Sequence, residues 1–211
     1  MKTWRVTAVM TALMFSACST ESKQAPAVAP EHSSQAAEQV SDVLGEIVIS
    51  ETSAPEGTEY LQGFDGTFSG TQMVQDAPAD VQTILLERWV DALTREFASP
   101  ETAEVILGGA PAGQLDPADH HFVGSIASAY EDAGSAQRAI KTVLRTMSER
   151  AQATEDLTLG DGGAVLRDRF LQVASVSYVW THDRYLLVLT ANGMHEDMIR
   201  DIAEDMDGRA P

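Results

Sequence analysis

The sequence predicts an α+β domain in which an antiparallel sheet of about four to five strands is packed with three helices. Three observations carry this expectation. Apolar residues recur with helical spacing, then strand spacing, then helical spacing again, and finish in three successive strand-like runs and a last helix. The runs 171–180 and 184–191 are separated by little more than Thr181-His182-Asp183, a short polar turn that makes them an antiparallel hairpin. In 184–191 both parities are apolar, Tyr185, Leu187 and Leu189 alternating with Leu186 and Val188. That is the pattern of a strand covered on both faces and central in its sheet.

Residues 42–211 are expected to form this single domain. Its first element, Val43 to Ile49 (VLGEIVI), is a β-branched run that reads as a first strand or a frayed prelude to one. The Pro/Gly-rich stretch up to Gln72 reads as loops or short edge strands anchored by Tyr60, Leu61, Phe64 and Phe68. Asp76-Ala77-Pro78 then opens a predicted helix, since Asp caps and Pro suits the first turn. Val81, Ile84, Leu85, Trp89, Ala92, Leu93 and Phe97 continue it in three- and four-residue steps until Ser99-Pro100. A turn-rich link leads to a strand over Phe122 to Tyr130 (FVGSIASAY). The second helix runs from Asp132 or Ser135 to Arg150, with Ala136, Ala139, Ile140, Val143, Leu144 and Met147 on one face. Gly160-Asp161-Gly162-Gly163 is a tight turn between that helical region and a strand over Ala164–Arg169, followed by the hairpin. The last helix, from His195 to Asp207, carries Met198, Ile199, Ile202, Ala203 and Met206 inward and stops at Gly208.

Composition excludes several classes of function. Asp plus Glu number 32 against 14 Lys plus Arg, a formal net charge of −18. So few cations cannot assemble the basic patch that displaces counterions from phosphate, which argues against nucleic acid as a partner. An anionic membrane surface would repel the body as well. One cysteine permits neither an intramolecular disulfide nor a cysteine-based structural zinc site, so the core holds by packing.

The N-terminus carries the sharpest signal. Residues 1–17 combine a charged start (Lys2, Arg5), an apolar stretch from Val6 to Phe15, and the small residues Ser16 and Ala17 directly before Cys18. The apolar run is far shorter than the roughly 20 residues a membrane span needs, so it reads as a cleavable export signal. Phe15-Ser16-Ala17-Cys18 resembles the lipobox of bacterial lipoproteins, with Phe15 where that family usually has Leu. The resemblance implies cleavage between Ala17 and Cys18, attachment of diacylglycerol to the Cys18 thiol and acylation of the new amine with palmitate-like chains. Two or three chains anchor stably, because each buried methylene contributes about 0.8 kcal/mol. Ser19 rather than Asp after the cysteine implies, for a Gram-negative source, sorting to the outer membrane. An ordinary secretory peptide would instead leave an unpaired exported thiol. Residues 18–41, rich in Ala, Ser, Gln, Glu and Pro and without an aromatic, are then expected to be a lipidated, disordered stalk.

No catalytic constellation stands out. Asp116, Asp119, His120 and His121 form the densest polar cluster and offer the oxygen and imidazole ligands of zinc, but their spacing matches no metal motif. They are expected to be a solvated loop at a strand entry. Gly160-Asp161-Gly162-Gly163 lacks the Lys and Ser/Thr of a phosphate loop. No G-x-S-x-G occurs, and His182 and His195 fall at turns. The sequence therefore implies no metal, no cofactor and no catalytic residues. It points to a lipid-anchored, non-enzymatic envelope protein whose body binds or scaffolds an envelope protein or a small ligand. The alternative is an extracytoplasmic hydrolase, metal-dependent through the Asp116 cluster. A groove of convergent polar side chains would favour the enzyme, and an exposed apolar patch a binding module.

Overall fold

The computed structural model describes residues 34–61, 66–67, 74, 77–107, 116–170 and 173–211. Ala17, Cys18, the expected export signal and the expected stalk as far as residue 33 lie outside the described residues. The elements in chain order are α1 (Ser34–Ile47), β1 (Glu59–Tyr60), β2 (Gly66–Thr67), α2 (Ala79–Leu85), β3 (Trp89–Ala98), α3 (Pro100–Ile106), a single 3-10 turn at Pro117–Asp119, β4 (Phe122–Tyr130), α4 (Ala133–Ser148), β5 (Ala153–Leu157), β6 (Gly162–Phe170), β7 (Val173–His182), β8 (Tyr185–Asn192) and α5 (Glu196–Arg209).

The general class is as expected, an antiparallel sheet packed with helices, but the sheet is larger. All pairings are antiparallel, in the order β1-β3-β4-β8-β7-β6-β5, with β2 also on β3. The described residues thus hold eight strands, two of them only two residues long, and five helices, against the four to five strands and three helices expected. β8 lies at the middle of the order and is buried along its whole length, as its two apolar parities require.

The helix expected over 76–97 is corrected. Only Ala79–Leu85 is helical, and Trp89–Ala98 is a strand paired with β4 from Trp89↔Tyr130 to Ala98↔Phe122. A four-residue spacing is even, so Leu93 and Phe97 share one face in a helix and in a strand alike. The conversion happens at Arg88, whose φ of 56° is left-handed. Its guanidinium donates to Glu131 at 2.8 Å and Asp132 at 2.5 Å, and its carbonyl accepts the Glu131 N–H at 2.8 Å. These bonds turn the chain out of the helix and lay it beside β4.

The stalk boundary is corrected too, because residues 34–47 form α1 rather than the end of a disordered segment and the start of a strand. Val40, Leu44 and Ile47, four and three apart, are buried against the sheet. The helix ends within the β-branched run, and Val48 and Ile49 follow it, also buried. Arg209 at the other end of the chain donates to the Glu46 and Val48 carbonyls at 2.6 and 3.1 Å, satisfying groups the helix end leaves open. β5 (Ala153–Leu157) lies where the sequence predicts no strand. It is an exposed edge strand (ATEDL), which needs no apolar parity.

Two cores result. On one face, α1 and α5 cover a continuous cluster that includes Leu44, Phe97, Trp180, Leu187, Ile199 and Met206. The opposite face carries two clusters. One joins Val81 and Leu85 of α2 and Ile140 and Val143 of α4 to Val179, Leu186 and Val188. The other is small, Leu61, Ala98, Ile106 and Phe122, and half-buried Ile126 packs against both.

Candidate functional site

What divides the second face is a polar row. In register across four strands stand Glu96 (β3), Gly124 (β4), Thr190 (β8) and Ser177 (β7). One pleat toward the small cluster the row reads Ala98, Phe122, Asn192 and Ser175, and one pleat toward α4 it reads Thr94, Ile126, Val188 and Val179. Side chains two residues apart share a face, so all of these point to the α4 side. Neighbouring strands lie about 4.8 Å apart, which sets Glu96 and Thr190 roughly 10 Å from one another. Between them stands only Gly124, which has no side chain. The row is nevertheless closed over, since Glu96, Gly124, Thr190 and Ser177 are all buried.

The hydrogen bonding along this band is incomplete. Ser177 Oγ and Thr190 Oγ1 satisfy each other at 2.9 Å. Glu96 is only 4% exposed, yet its Oε2 has no hydrogen-bond partner. Asn192 is fully buried at 0%, and neither its Oδ1 nor its Nδ2 has one. An unmet buried polar group costs about 1–3 kcal/mol, and more when charged. Burial accordingly pushes the Glu96 carboxyl up to about 7, with no ion pair to hold it down.

The sequence-predicted candidates do not converge. Asp116 is exposed and caps the 3-10 turn, its Oδ1 accepting the Ala118 N–H at 2.9 Å, and Asp119 is exposed with its carbonyl accepting the Ser99 hydroxyl at 2.8 Å. His121 is half-buried. The expectation of a solvated loop fails at His120, which is 2% exposed because the chain there is clamped between the end of β8 and the start of β4. A Cβ on Gly193 would stand 1.9 Å from the His120 carbonyl oxygen, so only glycine, with φ of 68°, lets the two backbones approach. Burial, and then His121, pushes the His120 imidazole below its ordinary range. Among the described residues no three His, Cys, Asp or Glu side chains gather to hold a metal ion.

Gly160-Asp161-Gly162-Gly163 is a turn between two strands, β5 and β6, rather than between helix and strand. Its groups are bound internally: Gly160 N–H donates to Asp207 at 3.1 Å, and Asp161 accepts the Asp183 N–H at 2.8 Å. Asp207 also meets the Trp180 indole N–H at 3.0 Å and His182 Nδ1 at 2.9 Å, tying α5 to the sheet. His195 is the exposed N-cap residue of α5 without a side-chain capping bond.

Sequence reasoning missed Glu96 because it lay on the polar side of an expected helix. Its signal was the parity Thr94, Glu96, Ala98, visible only once the segment is a strand. Asn192 falls one residue beyond the expected strand 184–191, where it precedes Gly193 and carries no strand signal of its own.

No family model matches the chain. No curated protein matches it either. Among solved structures, the extracellular domain of PknH from Mycobacterium tuberculosis is similar with a TM-score of 0.42 and 10% sequence identity, covering 80% of this chain and 95% of that one. Among the described residues no helix is long and apolar enough to cross a membrane.

Proposed function

We propose that the protein is a lipid-anchored cell-envelope protein, held by an acylated Cys18, whose α+β body is a binding domain that uses the polar row of Glu96 and Asn192 to hold a small polar ligand. One observation carries the binding half: buried Glu96 Oε2 and the buried Asn192 amide, on neighbouring rows of one sheet face, have no hydrogen-bond partner among the described residues. A fold that leaves such groups unmet is destabilised unless something arrives to meet them. The anchor rests on the lipobox-like residues Phe15-Ser16-Ala17-Cys18.

Mass spectrometry tests both halves. Protein extracted from its own membranes should begin at a lipid-modified Cys18, and any other N-terminus removes the anchor. Under native conditions the same protein should retain a small non-protein mass that Glu96→Gln or Asn192→Leu releases. A wild-type chain that carries no such mass from its own envelope refutes the binding role.

A second reading, an extracytoplasmic hydrolase, is favoured by the convergence of polar side chains and by a carboxyl at about 7, the range of a general acid or base. Against it, Glu96 is the one titrating side chain among Glu96, Asn192, Ser177 and Thr190, and catalysis by proton transfer ordinarily pairs it with a second group. An apolar docking patch is not favoured either: the exposed large hydrophobics among the described residues are Leu107, the C-cap residue of α3, and Met198 of α5, which was expected inward and is exposed. Turnover of ester or glycoside substrates, abolished by Glu96→Gln, would replace binding by catalysis.

A further inference from the structure

Independently of any ligand, we infer that Asn192-Gly193 is a deamidation site which the folded sheet holds inert, and whose reaction makes opening of the end of β8 irreversible. Asn192 is the only asparagine of the 211 residues, and a glycine follows it. Asparagine before glycine is the pair most prone to cyclise, because the attacking backbone nitrogen has no neighbouring side chain to obstruct it. The fold nevertheless requires that glycine. Gly193 has φ of 68°, and a Cβ there would collide with the His120 carbonyl oxygen. Replacing it would remove the reactive pair and also break the clamp between the end of β8 and the chain before β4. Close backbone approach and chemical lability thus come from one residue.

In the reaction the Gly193 nitrogen loses its proton and bonds to Asn192 Cγ, the bond from Cγ to the amide nitrogen breaks, and ammonia departs. Water then opens either carbonyl of the resulting succinimide ring and gives aspartate or isoaspartate at position 192. In the native chain the backbone blocks ring closure. Asn192 is held on both sides, opposite Phe122 on β4 and Ser175 on β7, and extended backbone keeps the Gly193 nitrogen turned away from the Asn192 side chain. The Gly193 N–H also donates to the Ala174 carbonyl at 3.1 Å. No hydrogen bond restrains the Asn192 side chain itself, so the protection resides in the strand pairing. Once formed, neither product fits the fold. Aspartate puts a carboxylate without a partner at a fully buried position. Isoaspartate lengthens the main chain by one carbon where Gly193 passes His120.

The test incubates the full detergent-extracted chain at pH 8, folded and in concentrated urea, and follows the small mass gain of amide-to-acid conversion by mass spectrometry. Asp65-Gly66, Asp161-Gly162 and Asp207-Gly208 can cyclise as well, but their isomerisation leaves the mass unchanged. In urea the gain should appear and map to the peptide that holds Asn192. In the folded protein it should be at least about a thousandfold slower, the lower end of the ratio of folded to unfolded chains in small domains. Gly193→Ala, compared in urea where folding plays no part, should slow the conversion several-fold. On removal of urea the unconverted chains should refold by circular dichroism and the converted ones should not. Asn192→Asp, a copy of one product, should unfold at a lower urea concentration than wild type. Equal rates in the folded and unfolded chain overturn protection by strand pairing. Absence of conversion at residue 192 in urea overturns the site, and converted chains that refold with the wild-type midpoint overturn the irreversibility.

Discussion

Replacing Glu96 by Gln should stabilise the protein, and only above about pH 5. The Glu96 carboxyl titrates near 7 in the folded protein against 4.5 unfolded. A raised folded value means that the native state holds the proton more tightly than the unfolded chain. Below pH 4.5 both states are protonated and the group is neutral in its effect. Between 4.5 and 7 the unfolded chain ionises while the native one does not, and stability falls steadily. Above 7 the native carboxylate is charged in its buried site and the whole difference is felt. At 1.36 kcal/mol per pH unit of difference, this amounts to roughly 3 kcal/mol. Gln has the same shape and no charge, so the variant escapes the penalty at high pH and resembles the protonated wild type at low pH. For a body of this size the gain corresponds to a midpoint about 6–12 °C higher at pH 8. Thermal unfolding followed by circular dichroism at pH 4, 6 and 8 measures it. His120 pulls the other way: its depressed imidazole makes stability fall as pH drops below its unfolded value near 6.5. That slope, and the one from buried Asp91, whose carboxyl burial also raises, are common to both proteins and cancel in the difference. A difference between variant and wild type that stays flat from pH 4 to 8 would refute the placement of Glu96 in an unpaired, dry environment.

Leu187→Ala, at a fully buried site on the central strand, should cost about 2–5 kcal/mol in urea unfolding, and a loss under 1 kcal/mol would mean that α1 and α5 do not close over β8. A chain starting at Val48 should lose cooperative unfolding by comparison with one starting at Ser34, because removing Val40, Leu44 and Ile47 forfeits about 1.5–3 kcal/mol for each buried side chain. Equal midpoints would show that α1 is dispensable. Gly163→Ala places a Cβ 2.0 Å from the Val179 carbonyl oxygen and 2.7 Å from Trp180 Cα, both in backbone that cannot yield, so a loss of about 1–3 kcal/mol or more is expected from overpacking. A variant as stable as wild type in the same assay would contradict the close approach of β6 to β7.

Legibility from sequence followed the strength of each pattern. Strand β4, helix α4, the β7–β8 hairpin and α5 each carry enough apolar residues in one period to exclude the other, and their observed bounds fall within two residues of those expected. Segment 79–98 did not, because Leu85, Trp89, Leu93 and Phe97 are all four apart, and the decision between helix and strand was made at Arg88 by an ion pair from a residue 43 positions away. Helix α1 was hidden by its Ala, Gln and Ser content, since what holds it is tertiary: the sheet beneath it and Arg209 at its end. The edge strand β5 has no inward face to declare itself. His120 was misplaced for a related reason, as its burial follows from Gly193 letting a distant loop approach.

The polar row was beyond reach of any single-segment pattern. Glu96, Gly124, Thr190 and Ser177 come from four strands, and nothing in the order of the chain says that they share a row. Each alone has an ordinary explanation: a glutamate on a helix face, a glycine in a small-residue strand, two hydroxyls among β-branched neighbours. Register turns them into one feature, and comparison of the two faces gives it weight. The face under α1 and α5 carries one continuous apolar cluster, in which buried Ser125 is satisfied by accepting the Ile49 N–H at 3.1 Å, whereas the face under α4 is cut in two by a band whose Glu96 and Asn192 atoms stay unmet. Leucine or valine at Glu96 and Asn192 would join the two clusters into one core.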